Sequence, residues 1–363
     1  MKITAAVVRE TGAPFQLEEL ELDAPQAGEV LVAIRAVGVC HTDIAIQKQW
    51  LPVPLPLVLG HEGAGIVEAV GDGVTKVRAG DKVALSFGSC GGCPTCSAGR
   101  PAYCFEFSAR NVSGGRPDGT NALHDVNGNF FSQSSFATHA IATERNTVKL
   151  PDDADLTLVG PLGCGIQTGA GTVLNRLKPA AGQTIAIFGV GAVGLSAVMG
   201  AKVAGCGTII AVDLVDARLD LAKELGATHV VNAGQVDDVV AEIMGITQVG
   251  VDFSVETTAV ERVAEQAVSC LTFLGTAAML GLGPAGTRVN VDMTELLIPG
   301  RTITGVVEGD SDPDVFIPQL VALHAEGKFP YDRLITTYPF ADINRAVEDV
   351  ESGAATKAVL VLG

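Results

Sequence analysis

The sequence predicts an α/β protein of two domains, one of which contains a doubly wound, mostly parallel sheet. Its 363 residues exceed what one ordinary globular core holds. Before about residue 150, short Val/Ile/Leu runs such as Glu29–Val39 are interrupted by Gly and Pro, a pattern typical of a β-barrel or sandwich. From about residue 183, strand-like and helical segments alternate, which indicates a parallel sheet with helices on both faces.

The elements of the second domain follow in order along the chain. The apolar run at 184–188 predicts a strand, and a glycine turn after it leads into an apolar helix. Thr208–Asp213 predicts the next strand, and the helix after it is expected to be capped by Asp216 and to end at Gly226. The alternation continues with strands at 229–232, 251–255 and 276–281 and with helices at 239–244 and 259–270. Beyond Arg301 it fades, and a helix at 341–352 and a strand at 358–362 return to the first domain.

Composition and charge exclude several classes of function. The chain has 24 basic and 41 acidic residues, so its formal charge of −17 repels nucleic-acid phosphates and anionic lipid. Pro179–Ala201 and Ala267–Thr287 are uncharged and longer than the roughly 18 residues of a membrane span. Their glycines divide them into runs of strand length, so we expect buried core. With no secretory signal pattern at the start, we expect a cytoplasmic protein without nucleic-acid or membrane partners.

Four of the eight cysteines fall within fifteen residues, and reduced cysteines are expected in the cytoplasm. They are spaced C-x2-C-x2-C-x7-C, at Cys90, Cys93, Cys96 and Cys104. Four thiolates at this spacing converge on a tetrahedral ion and leave no position for a substrate, which favours a structural zinc site. An iron–sulfur cluster is the alternative, because thiolates at short spacing also hold such clusters.

The segment GVGAVG at 189–194 matches the dinucleotide fingerprint G-x-G-x-x-G. It follows a predicted strand and opens a predicted helix, and Asp213 comes nineteen residues beyond Gly194 at the end of the next strand. Gly189 makes the turn, Gly191 admits the pyrophosphate, and Gly194 lets helix and strand pack closely. Asp213 would accept from the ribose hydroxyls and repel a 2′-phosphate, so the sequence predicts NAD rather than NADP. The alternative is a tight βα turn with a capping Asp.

A second group of metal-binding side chains is scattered along the chain. GHEGAG at 60–65 places His61 and Glu62 side by side among glycines. With Cys40 and Cys164, His61 completes a Cys2His set, an arrangement that leaves the fourth zinc position open for chemistry. The three residues lie far apart in sequence, so their spacing alone does not group them.

These motifs, with Cys40-His41-Thr42-Asp43 and GPLGCGIQTGAG at 160–171, resemble the zinc-dependent medium-chain alcohol dehydrogenases. The resemblance runs in order over essentially the whole chain. GRNVSGG, SSFATHA and GVVEGDSDPDVFIPQL are most similar to bacterial aryl-alcohol (benzyl alcohol) dehydrogenases, with geraniol-type enzymes nearby. The resemblance implies a GroES-like β-barrel catalytic domain at 1–167, with a zinc lobe at 88–106. It further implies a Rossmann NAD domain at 168–300 and a return of the chain to the catalytic domain at 301–363. It also implies a homo-oligomer, a tetramer or alternatively a dimer.

The resemblance assigns roles to individual residues. Cys40, His61 and Cys164 would ligate a catalytic zinc, with Glu62 as an intermittent ligand and Asp43 bonded to the other nitrogen of His61. Thr42 would receive the proton of the alcohol. The residues expected around NAD, besides the glycines and Asp213, are His41, Thr168, Val193, Arg218, Leu280, Val306, Glu308 and Lys357. Those expected around the substrate are Trp50, Leu51 and Phe87 (or Ser86, since the alignment is ambiguous by one residue). Many relatives have a proton-relaying His at the position of Ala45.

The expected function is reversible oxidation of primary aromatic or allylic alcohols to aldehydes, with two zinc ions per chain and NAD. Allylic terpenoid alcohols of the geraniol type, and aliphatic or polyol substrates, are the alternatives within the same enzyme class. The alternative outside that class is a protein that binds NAD and zinc without catalysis.

Overall fold

The computed structural model describes residues 1–363, which divide into two compact units. The first unit consists of Met1–Gly165, Asp312–Ala322 and Tyr331–Gly363, and the second of Ile166–Ser311 and Leu323–Pro330. Sixteen strands, β1 to β16, lie at Lys2–Val8, Gln16–Glu21, Glu29–Gly38, Leu57–Val58, Gly63–Val70, Lys82–Leu85, His139–Thr143, Thr147–Lys149, Thr184–Phe188, Thr208–Asp213, His229–Asn232, Val251–Glu256, Leu271–Met279, Thr302–Gly305, Ile335–Pro339 and Lys357–Val361.

Twelve α-helices, α1 to α12, lie at His41–Gln47, Pro94–Ser97, Phe107–Asn111, Leu156–Val159, Gly165–Gly171, Ala192–Ala204, Asp216–Leu225, Val239–Thr247, Glu261–Ser269, Met293–Leu297, Pro313–Ala325 and Ile343–Ser352. Short 3₁₀ turns lie at Pro101–Tyr103, Phe130–Ser132, Glu144–Asn146, Gly160–Gly163, Glu308–Asp310, Tyr331–Leu334 and Phe340–Asp342, and a π-helical turn at Thr172–Leu177. No helix is long and apolar enough to cross a membrane.

The first unit is built on two sheets and one continuous apolar core. Strands β2, β1 and β4 form a three-stranded sheet, and β15-β16-β3-β5-β6-β8 form a larger one in which β7 also pairs with β3. Strand β3 is buried along nearly its whole length, because β5, β7 and β16 all pair with it. A strand covered in this way reads as a continuous apolar run, which is the sequence pattern at Glu29–Val39.

The second unit contains one parallel sheet of six strands in the order β11-β10-β9-β12-β13-β14. Numbered within the unit this is 3-2-1-4-5-6, the order of a dinucleotide-binding sheet, and the predicted fold class is confirmed. The direction of winding reverses between β9 and β12, so a crevice opens at the carboxyl ends of these neighbouring strands. Gly189 and Glu256–Thr257 lie at that position.

The predicted elements exist, and their boundaries differ by a few residues. Helix α8 extends to Thr247 rather than 244, and β13 begins at Leu271 rather than 276. Asp216 does not cap α7: Val215 precedes the helix, and Asp216 is its first residue and accepts from Asn232 Nδ2 at 2.6 Å. The helix ends before Gly226, as predicted, because that residue has a φ of +134°.

Candidate metal centres and cofactor site

Four buried side chains of the first unit converge on one point: Cys40, His61, Glu62 and Cys164. Their ligand atoms all lie within 4.8 Å of one another. Antiparallel pairing of β3 with β5 brings the first three together, because it places Val37 opposite Gly63. Cys164 follows the 3₁₀ turn at 160–163. The fold thus assembles residues that are up to 124 positions apart in sequence (164 − 40).

Asp43 fixes the orientation of the His61 ring. Its Oδ1 lies 2.9 Å from His61 Nδ1 and accepts from the backbone N–H of Gly60 at 3.0 Å, while Oδ2 accepts from Cys40 N at 3.0 Å. His61 Nε2, in contrast, is buried without a protein partner. Burial lowers the pKa of His61, but the Asp43 carboxylate and the Cys40 side chain together raise it more, so its net pKa lies well above the ordinary value. With Nδ1 bonded to Asp43, the unpartnered Nε2 is the ring nitrogen available to a metal ion beside Cys40 and Cys164.

Glu62, the fourth member of this group, is paired with Lys357. Lys357 Nζ is 2.6 Å from Glu62 Oε1 and 2.5 Å from Oε2, and it also donates to Val39 O at 3.1 Å. Burial raises the pKa of Glu62 to about 7, although the Lys357 ammonium opposes the shift. The Lys357 side chain is only 3% exposed. The sequence predicts that Lys357 contacts a cofactor phosphate, but its ammonium is already paired with Glu62. The phosphate contact stays a prediction.

The donor set of this first centre fits zinc. A hydrogen bond from Cys164 lowers the pKa of Cys40, and although burial opposes it, the Lys357 and His61 charges lower it further, so the net shift is strongly downward. A thiol that ionises easily is a good zinc ligand. Two thiolates and one imidazole make three ligands, which leaves a fourth position for an exchangeable molecule.

The second centre is the lobe of four cysteines between β6 and α3. The Sγ atoms of Cys90, Cys93, Cys96 and Cys104 lie within 4.8 Å of one another. Backbone N–H groups point at the sulfurs: Cys93 N lies 3.3 Å from Cys90 Sγ, and Cys90 N lies 3.2 Å from Cys104 Sγ. A hydrogen bond with the Thr95 hydroxyl lowers the pKa of Cys93 to about 5. This set also fits zinc, and its four ligands leave no open position.

Aromatic side chains that sequence reasoning missed surround the His61 ring. The Phe131 ring lies 4.5 Å from it at an angle of 30°, and the Phe130 ring meets it edge-on at 5.3 Å. Phe131 has a φ of +51°, which is rare for a bulky side chain. Gln133 donates to His61 O at 2.9 Å and to Ser86 O at 3.0 Å, and its Oε1 accepts from Gly63 N at 3.1 Å. The 129–134 segment therefore holds both the ring and the backbone of His61 in place.

The residues expected near the substrate are placed unequally. Thr42 Oγ1 lies 3.8 Å from Cys40 Sγ, so the hydroxyl is beside the first centre. His41 is exposed, and the Trp50 ring meets it edge-on at 5.7 Å. Leu51 is 39% exposed. Phe87, at 2% exposure, packs in the core against Phe107 at 6.2 Å, whereas the neighbouring Ser86 hydroxyl donates to Gly163 O at 2.6 Å, next to Cys164.

The glycine turn of the second unit has the shape that a dinucleotide requires. Gly189 has a φ of +80°, and a Cβ on Gly194 would lie 1.9 Å from Gly189 O. A Cβ on Gly191 would meet nothing within 4 Å, so open space lies before α6. Asp213 Oδ2 accepts from Val190 N at 2.8 Å. The turn and the acidic residue are therefore fixed to each other, and they fit a pyrophosphate and a ribose.

The other residues expected around the cofactor lie in the second unit, at the carboxyl ends of its strands or beside them. Arg218 Nη1 lies 3.9 Å from Asp213 Oδ1. A Cβ on Gly169 would lie 1.9 Å from Val193 O, so Thr168 belongs to a segment packed tightly on the start of α6. Leu280 and Val306 continue the parallel sheet: Leu280 N donates to Glu256 O at 2.9 Å and Val306 N to Met279 O at 3.1 Å.

Comparison with known proteins finds two family models in the chain. Residues 26–152 match the alcohol dehydrogenase GroES-like domain, and residues 192–325 match the zinc-binding dehydrogenase domain. The chain is 46% identical to geraniol dehydrogenase from Castellaniella defragrans over 362 residues, which cover 98% of this chain and 97% of that protein.

Two solved structures are similar over the whole length. An alcohol dehydrogenase zinc-binding domain protein from Burkholderia ambifaria is 51% identical, with a TM-score of 0.98 over 100% of this chain and 99% of that one. Benzyl alcohol dehydrogenase from Acinetobacter calcoaceticus is 49% identical, with a TM-score of 0.98 over 100% of both chains.

Proposed function

The chain belongs to the zinc-dependent medium-chain alcohol dehydrogenases, and from that premise we propose that it oxidises primary aromatic and allylic alcohols, benzyl alcohol above all, reversibly to aldehydes. The observation that carries this proposal is the full-length similarity to a benzyl alcohol dehydrogenase at 49% identity. The similarity to a geraniol dehydrogenase supports the same chemical class, because both named alcohols carry the hydroxyl on a carbon next to an unsaturated group. Their aldehydes are conjugated.

The residues of the first centre divide the work of this reaction. Cys40, His61 and Cys164 would hold a zinc ion that, when bound, acts as a Lewis acid on the alcohol, while NAD accepts the hydride. Asp43 keeps the His61 ring in place by accepting from Nδ1. Thr42, with its hydroxyl beside Cys40, is positioned to take the proton of the alcohol.

The proton then has to reach solvent without a histidine at position 45. Ala45 is fully buried in α1, so a histidine at this position would need space that the surrounding packed residues now occupy. His41 precedes Thr42 and is exposed. We therefore propose His41, together with water, as the exit for the proton, in addition to its expected place near the pyrophosphate.

The proposal includes two zinc ions per chain and a preference for NAD. The four-cysteine lobe would hold a structural ion, because its ligand set is closed. Asp213 would exclude a 2′-phosphate by charge repulsion. Six reduced cysteine ligands suit a compartment that keeps thiols reduced, which supports the cytoplasm as the location.

The proposal also includes self-association, as a tetramer or alternatively a dimer. Strand β14 is the last strand of the six-stranded sheet, so its outer edge carries unpaired backbone groups. Large apolar side chains of the same unit are exposed, namely Phe273, Leu274, Met293, Leu297 and Ile298. A second copy related by a two-fold axis could pair β14 with β14 and cover such a surface. Light scattering that finds a monomer would contradict this part.

A panel of alcohols tests the substrate class. We expect benzyl and cinnamyl alcohol to exceed ethanol in kcat/KM by about 10- to 100-fold, since burial of an aryl group contributes about 1.5–3 kcal/mol and tenfold corresponds to about 1.4 kcal/mol. Geraniol is assayed beside them, together with a short aliphatic alcohol and a polyol. A higher kcat/KM for ethanol or the polyol would overturn the assignment, and a large excess of geraniol over benzyl alcohol would favour the terpenoid alternative.

A further inference from the structure

The carboxylate of Glu62 is fully buried within the first metal centre. One of its oxygens lies within 4.8 Å of the ligand atoms of Cys40, His61 and Cys164. A carboxylate oxygen is itself a zinc ligand. Glu62 is therefore able to compete for the fourth position, which the two thiolates and the imidazole leave to an exchangeable molecule. Whether this position is open depends on what holds the carboxylate.

Protein donors already engage both oxygens of this carboxylate. Lys357 Nζ lies 2.6 Å from Glu62 Oε1 and 2.5 Å from Oε2. The backbone N–H of Gly165 also donates to Oε1, at 3.0 Å. Lys357 Nζ donates in addition to Val39 O at 3.1 Å, so the ammonium is tied to the backbone just after β3. Each oxygen of Glu62 thus has a partner other than a metal ion.

Gly38, the last residue of β3, provides the space that the carboxylate occupies. A Cβ on Gly38 would lie 1.9 Å from Glu62 Oε2 and 3.1 Å from the carboxyl carbon. The φ of Gly38 lies outside the left-handed region, so the backbone itself does not require a glycine there. The missing side chain is instead what lets the Glu62 carboxylate lie against the strand.

Gly38, the N–H of Gly165 and Lys357 together form a cradle for the Glu62 carboxylate. Lys357 is its charged member. The Lys357 side chain is 3% exposed and that of Glu62 is 0% exposed, so water and salt screen their attraction little. The ion pair is therefore the contact of the cradle that opposes the attraction of a neighbouring metal cation for the same carboxylate.

We propose that Lys357 is a positioning residue, which holds Glu62 in this cradle and so keeps the fourth zinc position open for the alcohol. The inference rests on the proposed function, because it concerns the zinc that the first centre would hold. Without the ammonium, the buried carboxylate loses its compensating charge, and the metal cation beside it takes over that role. Lys357 thus acts on the open position through Glu62.

The test uses the protein with cobalt(II) in place of zinc at the first centre, and imidazole as a neutral ligand for the open position. The visible spectrum of cobalt reports the number and geometry of its ligands. If Glu62 occupies the position about nine-tenths of the time in Lys357→Met, the dissociation constant for imidazole rises about tenfold. The spectrum without imidazole should change as well. Lys357→Arg keeps the charge and should retain most of the affinity for imidazole.

Two further changes separate the role of Glu62 from a general loss of structure. Gly38→Ala displaces the carboxylate by steric contact while Lys357 and all charges remain, so it should also weaken imidazole binding. This variant tests the inference even if Lys357→Met does not fold. Adding Glu62→Gln to either variant should restore the wild-type dissociation constant, because a neutral amide competes poorly for the metal.

Lys149→Met is the matched control. Lys149 Nζ lies 2.8 Å from Oδ2 of Asp81, which is also a buried carboxylate of the first unit but contacts no metal ligand. Removal of this lysine likewise takes a cation away from a buried carboxylate. It should leave both the cobalt spectrum and imidazole binding as in the wild type.

The outcomes separate this inference from the proposed function. Wild-type protein that takes up neither zinc nor cobalt at the first centre would overturn the proposed function itself. If the wild type binds metal and imidazole, and Lys357→Met and Gly38→Ala keep its spectrum and its dissociation constant, then the cradle does not keep the position open. A loss of affinity that Glu62→Gln fails to restore, or that Lys149→Met reproduces, would equally refute the inference.

Discussion

Asp43→Asn is the change that most directly tests the geometry of the first metal centre. The Asp43 carboxylate is fully buried and accepts from His61 Nδ1 and from the N–H groups of Gly60 and Cys40, at 2.9, 3.0 and 3.0 Å. An asparagine has one carbonyl oxygen, which can serve the two donors on the Oδ1 side. Its amide group would then face the N–H of Cys40, so one buried donor is left without an acceptor. That loss costs about 1–3 kcal/mol.

The same change weakens the hold on zinc. A residue that orients a metal-bound histidine typically contributes about 10- to 100-fold to metal affinity, which corresponds to about 1.4–2.7 kcal/mol. We therefore expect Asp43→Asn to release one zinc per chain about 10- to 100-fold faster to a chromogenic chelator, while the zinc of the four-cysteine lobe stays bound. Alcohol oxidation should fall in parallel.

Asp81→Asn is the matched control. Asp81 is also a buried aspartate of the first unit, and it accepts from Lys149 Nζ at 2.8 Å and from Arg78 N at 3.0 Å, but it contacts no metal ligand. Its replacement should lower the melting temperature without faster release of zinc. If Asp43→Asn released zinc at the wild-type rate while remaining folded, the orientation of His61 by Asp43 would not matter for metal binding.

Three further predictions follow from the placement of the other residues. Cys164→Ser should abolish turnover while the fold is kept with one zinc per chain, whereas Cys93→Ser should reduce the yield of folded protein, because metal binding there stabilises the lobe. Metal analysis and circular dichroism distinguish these two results. An active Cys164→Ser variant would contradict the assignment. Asp213→Gly should relax the preference for NAD towards NADP, measured as the ratio of kcat/KM values, and comparable wild-type efficiency with both cofactors would show that Asp213 does not select. Trp50→Ala should reduce the ratio of kcat/KM for benzyl alcohol to that for ethanol more than it reduces ethanol turnover, and an unchanged ratio would remove Trp50 from the substrate site.

The fold class could be predicted from the sequence because its signals are local and periodic. The strand-like run at 184–188, the glycine turn and the run at 208–213 together specify a βαβ unit, and repetition of this unit specifies a parallel sheet. The boundaries of the strands and helices are harder to predict from the sequence. In the segment at 271–275, the adjacent apolar residues Phe273 and Leu274 are both exposed, so the sequence there does not show the alternation of apolar and polar residues that predicts a strand. Strand β13 is therefore longer than the apolar run at its end suggests.

The two candidate metal centres also differ in how far the sequence predicts them. The four-cysteine lobe closes within fifteen residues, so its spacing alone predicts a metal site. Cys40, His61 and Cys164 meet only because β3 pairs with β5 and the turn at 160–163 packs nearby. Long-range pairing of this kind leaves no trace in local spacing, and only the resemblance to a family groups these residues beforehand.

Residues that act through backbone geometry escape sequence reasoning almost entirely. Phe131 and Glu308 both have a left-handed φ, yet neither is a glycine or an asparagine, so nothing in their identity marks a special conformation. In each case the conformation is imposed by packing with distant parts of the same unit: Phe131 lies on the His61 ring, and the Glu308 turn lies against Gln167 and Gly171. A strained backbone that places an aromatic ring on His61, or that buries a carboxylate, exists only once the tertiary structure forms, which is why Phe131 becomes a candidate for function only from the structure.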